Sequence, residues 1–355
     1  MMTIKQTLPA AILKAGILAA CLSAGLVHAT PYSTVDPAYN IEFFATSASN
    51  NGGGSGLTFL STGELVRGSF SDLSKLYVYS LAADQNIHAT PTLHSAVGHT
   101  VTDAASGAAV ALGWGMTSGL DGKIYAAQTN GQIRKIDPVT WTSTLVAGTS
   151  GAFYGLKILP NGNLVYNAGS QVKVYDFALG MEGVIYDTLT FNDDLAVAPT
   201  GEVFIAALGA GRTDIIRNDQ HLGAAVLVNS STTTHVADGM AYGLGSVFKN
   251  NTDGTITKLS FAGLGFTGAV SESVIASGGG YGDLAAVNEF DHSFYVDNDS
   301  LKYEDGIHDT GRSIARISLI GGGGFGSSVP EPTSILLVGT GLAGIVAMRR
   351  RRILS

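Results

Sequence analysis

From Leu57 onward the chain alternates short apolar runs with glycine-bearing polar turns, and that alternation recurs. Gly115-Met116 leads to Asp121-Gly122-Lys123-Ile124-Tyr125-Ala126-Ala127, then to runs at 132–137 and 144–148. The same order returns in Gly155-Leu156, Asn161-Gly162-Asn163-Leu164-Val165-Tyr166, 171–176 and 184–186. It returns again in Asp194-Leu195, 200–205, 214–217 and 225–228, so the turn glycines Gly122, Gly162 and Gly201 stand 40 and 39 residues apart. Within each unit apolar residues alternate with polar ones, the period of a half-buried strand, and Asp-Gly or Asn-Gly supplies the positive φ of a tight hairpin. Each unit is therefore expected to be a four-stranded meander. One such sheet cannot cover both of its own faces, so the units must stack on one another.

Two looser copies follow, over 238–275 and 283–319, and a divergent copy precedes at 57–79. Strand-only units of about 40 residues, repeated in this way, predict an all-β fold, a β-propeller of six four-stranded blades. The last copy lacks a fourth strand after Leu319. The leftover apolar run at 40–46 is predicted to supply it, pairing beside 314–319 and leaving no open edge. A seventh blade within 82–111 is the alternative, although those residues read more as an insertion or an irregular outer strand.

Composition fits this picture. Hydrophobic residues make up 45% and charged residues 14% of the 355-residue chain, with 47 glycines. That is too apolar for disorder and too poor in Lys, Glu and Arg for a helical protein. The one cysteine, Cys21, lies near the N-terminus, which excludes a disulfide framework, a thiolate metal site and a cysteine nucleophile from the body.

The two ends of the chain read as processing signals. Residues 1–29 form an expected secretory signal: Lys5 and Lys14, an apolar stretch from Ala15 to Val27, and Val27-His28-Ala29 as the cleavage site. Leu18-Ala19-Ala20-Cys21 also fits a lipobox, with Cys21 then lipidated. At the other end, residues 321–329 are a Gly/Ser-rich linker. Pro330, Glu331 and Pro332 then precede an uncharged stretch at 333–348, which is followed by Arg349, Arg350, Arg351 and Arg352. As a helix, 333–348 would rise about 24 Å, enough for a bilayer with some local thinning. The arginines would hold their end in the cytoplasm.

That order, over about the last 27 residues, resembles the PEP-CTERM sorting signal of Gram-negative bacteria. The resemblance implies processing by an exosortase near Pro330, Glu331 and Pro332. It also implies passage from an inner-membrane-anchored precursor to the cell surface or extracellular matrix, in company with exopolysaccharide. Gly339-Thr340-Gly341-Leu342-Ala343-Gly344 matches a dinucleotide-binding pattern literally, but no strand precedes it and it lies within the expected membrane span.

Over residues 30–332, 14 basic residues (20 − 6) face all 28 acidic ones, a balance of −14. Nucleic acid is a poor partner for such a surface, whereas divalent cations and neutral glycans suit it. The repeats resemble the six-bladed propellers of the NHL and SMP-30/gluconolactonase superfamilies over about 40–320. Asp194, Asp238 and Asp283 stand at matching places in successive inner strands, and they are the candidate ligands for a Ca²⁺ ion at the axis. The competing reading makes them turn residues bonded to their own backbone. The lactonase-like relatives use a Glu on the first inner strand, and residues 57–60 contain none. His88, His94 and His99 show no zinc spacing, residues 250–254 read as a hairpin turn, and no nucleophile elbow or phosphate loop occurs in the body.

Two functional classes stay open. One is a non-catalytic surface or matrix protein whose propeller binds a glycan or an envelope protein. The other is a secreted Ca²⁺-dependent hydrolase of the lactonase type.

Overall fold

A computed structural model describes residues 32–320, except 47–55, 70–71, 81–95, 219–221, 280–281, 289–290, 292 and 299–312. The expected signal, the Cys21 alternative, the linker and the sorting tail with its helix lie outside the described residues, as do His88 and His94. Among the described residues, no helix is long and apolar enough to cross a membrane.

The strands form six sheets, each with an antiparallel four-stranded meander at its heart, built outward in chain order in blades 1 to 5. Blade 1 runs Leu57–Phe59, Leu65–Arg67, Lys75–Tyr79 and Ala96–Thr100. Blade 2 comprises Leu112–Ser118, Ile124–Gln128, Ile133–Ile136 and Thr142–Val146. In blade 3 the strands are Leu156–Ile158, Leu164–Ala168, Gln171–Asp176 and Met181–Asp187. Blade 4 holds Leu195–Val197, Glu202–Ala207, Arg212–Arg217 and Val226–Thr232. Blade 5 holds Ala237–Gly243, Ser246–Asn251, Ile256–Phe261 and Val270–Ser277. Blade 6 takes Gly282–Asn288, Ser293–Asn298 and Ser313–Leu319 from the end of the body and its outer strand, Tyr39–Thr46, from the beginning. Each inner strand touches the next, and the inner strand of blade 6 touches that of blade 1, so the ring closes.

The expected closure is present. Tyr39 pairs with Leu319 and Ile41 with Ile317 in antiparallel register. Of the 82–111 region, the described residues 96–111 hold no separate blade: Ala96–Thr100 is the outer strand of blade 1. Two short additions were not legible in the repeat. Thr102–Asp103 lies parallel to the outer strand of blade 2. Ser33–Thr34 pairs antiparallel with the outer strand of blade 5.

The interior is six wedges, one between each pair of neighbouring blades. The wedge between blades 4 and 5 packs Ala196, Phe204 and Ile215 against Met240, Val247 and Leu259, all buried. Second strands have a blade on either side, so both faces are covered and alternation gives way to a continuous buried run, as in Glu202–Ala207. Outer strands keep alternation, as over the first five residues of Val270–Ser277. Burying a Val, Leu, Ile or Phe side chain contributes roughly 1.5–3 kcal/mol, so each wedge alone is a substantial source of stability.

The last wedge carries a clasp as well. Arg67 of blade 1 donates to both carboxylate oxygens of Asp297 of blade 6, at 2.8 and 2.6 Å, with both side chains buried. Phe44, Tyr79 and Tyr295 pack around it.

Candidate functional site at the channel entry

The six inner strands run the same way along the axis, so their entry ends form one mouth and their exit ends the other. At the entry, neighbouring strands approach backbone to backbone. The Gly155 N–H donates to the Asp193 carbonyl at 2.7 Å, and the Gly115 N–H donates to the Phe153 carbonyl at 2.9 Å. A Cβ on Gly115 would lie 1.7 Å from the Tyr154 carbonyl oxygen, so only glycine fits there.

The pinch turns the residues just before these glycines toward the mouth. Trp114 and Tyr154 precede Gly115 and Gly155, and their rings stack with centroids 5.5 Å apart and planes 18° apart. Phe153 lies 4.2 Å from Trp114, and Phe191 meets Tyr154 edge-on at 5.0 Å. Phe191 is exposed and the other three are half-buried.

Beside these rings stands a carboxyl pair. Asp193 of the blade 4 entry is hydrogen-bonded through its side chain to Asp238 of the blade 5 entry. Burial pushes the Asp193 carboxyl up to about 6; the bond to Asp238 opposes this, and the nearby Asp194 charge adds to it. The Tyr154 phenol is raised too, first by burial and then by the fields of Asp193, Asp238 and Asp283. All three carboxyls therefore lie within electrostatic reach of one ring.

Of the three aspartates expected to bind calcium, Asp194 is turned into the wall. One of its oxygens accepts from the Leu195 N–H at 2.8 Å, with the Lys157 ammonium 3.3 Å away, and the other accepts from the Met240 N–H at 2.9 Å. Burial raises its pKa, with Lys157 and the two backbone donors opposing. It ties blades 3, 4 and 5 together. Asp283 uses one carboxylate oxygen on the Leu284 N–H at 2.9 Å, which is the backbone-bonding alternative. Asp238 sits at a bulge in its strand, between the paired residues Ala237 and Gly239, rather than directly before the strand as Asp194 does. Among the described residues, no group of three or more His, Cys, Asp or Glu side chains is placed to hold a metal ion. Asp194 is thus committed to the wall, and Asp238 stands out of step with it.

The sequence reading missed Trp114, Phe153, Tyr154, Phe191 and Asp193. A signal was available: an aromatic residue precedes the entry glycine in two successive repeats. His99 stacks on Trp141 at 4.2 Å in an outer strand, far from any ligand set. Residues 252–254 turn between two paired strands of blade 5, as expected of a hairpin.

The exit end differs. A cavity of about 570 Å³ lies among the exit halves of all six inner strands, lined by apolar side chains such as Phe59, Leu60, Ile158, Val197 and Val287. Lys157, at its inner end, is its one charged lining residue.

Comparison with known proteins agrees with both parts of this description. Residues 328–352 match the PEP-CTERM protein-sorting motif. That motif implies exosortase processing of an exported chain at the membrane. No curated protein matches the chain as a whole. The body is similar in structure to a gluconolactonase from Xanthomonas campestris, with 11% identity, a TM-score of 0.53, and 82% of this chain and 95% of that one covered. It is similar also to a PQQ-bound aldose sugar dehydrogenase from Streptomyces coelicolor, with 14% identity, a TM-score of 0.52, and 79% and 98% covered. A third is a virginiamycin B lyase from Staphylococcus aureus, with 10% identity, a TM-score of 0.52, and 79% and 100% covered. At these identities the likeness establishes the six-bladed fold.

Proposed function

We propose that the mature protein is a non-catalytic component of the cell surface or extracellular matrix, which binds neutral glycan at the entry mouth of its propeller. The observation that carries this reading is the stacked Trp114–Tyr154 pair beside the Asp193–Asp238 carboxyls. Aromatic faces carry negative quadrupole density and suit the weakly positive C–H faces of a sugar ring. The carboxyl pair supplies acceptors, and when protonated a donor, for hydroxyl groups. Few polar groups set among aromatic side chains is the usual composition of a small-molecule site. The balance of −14 over residues 30–332 works against polyanionic polysaccharides and leaves neutral chains favoured.

The hydrolase alternative has in its favour the likeness of fold to gluconolactonases, while Asp194, one of its expected ligands, bonds to the backbone of the wall. Fold alone does not carry an activity.

Calorimetric titration of the purified protein with neutral gluco-oligosaccharides of both α and β linkage tests the proposal. Trp114→Ala should weaken binding at least about tenfold, a loss of ~1.4 kcal/mol, without release of any cleaved product. Equal binding by wild type and Trp114→Ala would count against the mouth as the site. Product formation would restore the enzyme reading.

A further inference from the structure

Among the described residues, eight large apolar side chains are more than 60% exposed: Val97, Leu120, Val139, Leu179, Leu189, Val226, Leu264 and Ile320. Six of them share one face. In an outward meander, the hairpins joining first to second and third to outer strands lie at the exit end of the inner strands, and the remaining connections lie at the entry end. Leu120 stands in a first-to-second hairpin of blade 2, and Val139, Leu179 and Leu264 stand in third-to-outer hairpins of blades 2, 3 and 5. Val226 opens the outer strand of blade 4, paired with Arg217 at the end of the third. Ile320 follows the third strand of blade 6. The apolar tips thus span five blades, and the apolar cavity lies among the same strand ends.

The charges around these tips cancel locally. Lys123 pairs with Asp137 at 2.7 Å, Lys135 with Asp121 at 2.7 Å, and Arg217 with Glu202. The chain also leaves the propeller here. Ile320 is held by its N–H to the Ala38 carbonyl at 2.8 Å, and the uncharged stretch expected to enter the bilayer begins 13 residues later, at 333 (333 − 320). Thirteen residues reach at most about 47 Å, and while the tail is attached the tether to the bilayer starts from this face.

We propose that the exit face of the propeller rests on a lipid bilayer, with its ring of apolar hairpin tips entering the boundary between headgroups and acyl chains. Binding of this kind scales with the apolar area buried and with attraction to lipid charge. The acidic body makes the second contribution unfavourable, so a zwitterionic surface is the preferred one. The entry mouth then points away from the membrane.

The test uses the full chain in nanodiscs of zwitterionic phosphatidylethanolamine and phosphatidylcholine. Single cysteines at Leu120→Cys, Val139→Cys or Leu264→Cys, in a Cys21→Ser background, carry a nitroxide, with Leu189→Cys on the entry side as the control. The three exit-face labels should show raised oxygen collision relative to a water-soluble nickel complex, and the Leu189→Cys label should remain aqueous. Replacing a third of the lipid with an anionic one should lower that contrast at least twofold. Four equally aqueous labels would overturn the proposal. So would exit-face labels equally shielded in lipid-free detergent, which would assign the face to a second copy of the chain. A combined Leu120→Asp, Val139→Asp and Leu264→Asp variant should keep its melting temperature while the wild-type residue Ile320, labelled as Ile320→Cys, loses its membrane contact. Retained contact would also overturn the proposal.

Discussion

At the entry end of the channel, Gly115 has no room for a methyl group against the Tyr154 carbonyl. At the exit end, the same six strands leave a cavity of about 570 Å³. Polarity divides in the same way. Carboxyls and aromatic rings gather at the pinched end, and aliphatic side chains gather at the flared one. Strand twist within a blade makes the two ends differ geometrically, and the repeats place glycines such as Gly115, Gly155 and Gly239, or aspartates such as Asp194, where backbones converge. What the difference teaches is that tight backbone contact and buried carboxyl groups occur together. Converging strands expose main-chain N–H groups that a carboxylate such as Asp194 can satisfy, whereas the flared end has only side chains to fill space.

The strongest way to break the comparison is Gly115→Ala. Its Cβ would force the inner strands of blades 2 and 3 apart, and a loss of about 3–5 kcal/mol is expected, read as a fall in the denaturant midpoint at constant slope. A near-neutral result would mean that the entry is not pinched.

Asp193→Asn sharpens it next. With its pKa raised from the ordinary carboxyl range to about 6 in the folded protein, Asp193 binds its proton more tightly when folded. Its contribution to stability is fully present below about pH 4 and is lost as pH rises through 6. Asparagine cannot ionise, so the variant should be more stable than wild type at pH 7 by up to about 2–3 kcal/mol. Thermal melts of both proteins from pH 4 to 7 should diverge with rising pH, and parallel curves would remove the buried carboxyl from the account.

The smallest effect is expected at the exit. Val197→Leu adds one methylene group toward the cavity and should change stability by less than about 1 kcal/mol. A large loss there would show that the exit is packed as tightly as the entry.

The fold was legible because a blade is a local object. Turn glycines 40 and 39 residues apart and period-two strands mark it within a single window, and the unpaired run at 40–46 indicated how the ring would close. Ser33–Thr34 and Thr102–Asp103 escaped because two residues carry no periodicity. The mouth was harder to read because its chemistry lies between blades. Asp193 meets Asp238, 45 residues away (238 − 193), across a blade boundary, and the pairing depends on a bulge that shifts Asp238 by one position. Three aspartates looked equivalent along the chain. In space, Asp194 bonds to the backbone of the next blade while Asp238 turns toward a neighbouring acid.

Tyr39 and Leu319 are paired across 280 residues (319 − 39) of intervening chain. For a protein exported N-terminus first, this pairing imposes an order in time. The strand at Tyr39–Thr46 crosses the membrane early and then has no partner until Ser313–Leu319 has followed it. Ring closure is therefore the last step in assembling the propeller, and it reports that translocation of the body is complete. A chain stalled in the translocation channel would display an unsealed propeller edge, open to periplasmic proteases, and a finished one would present none at that seam.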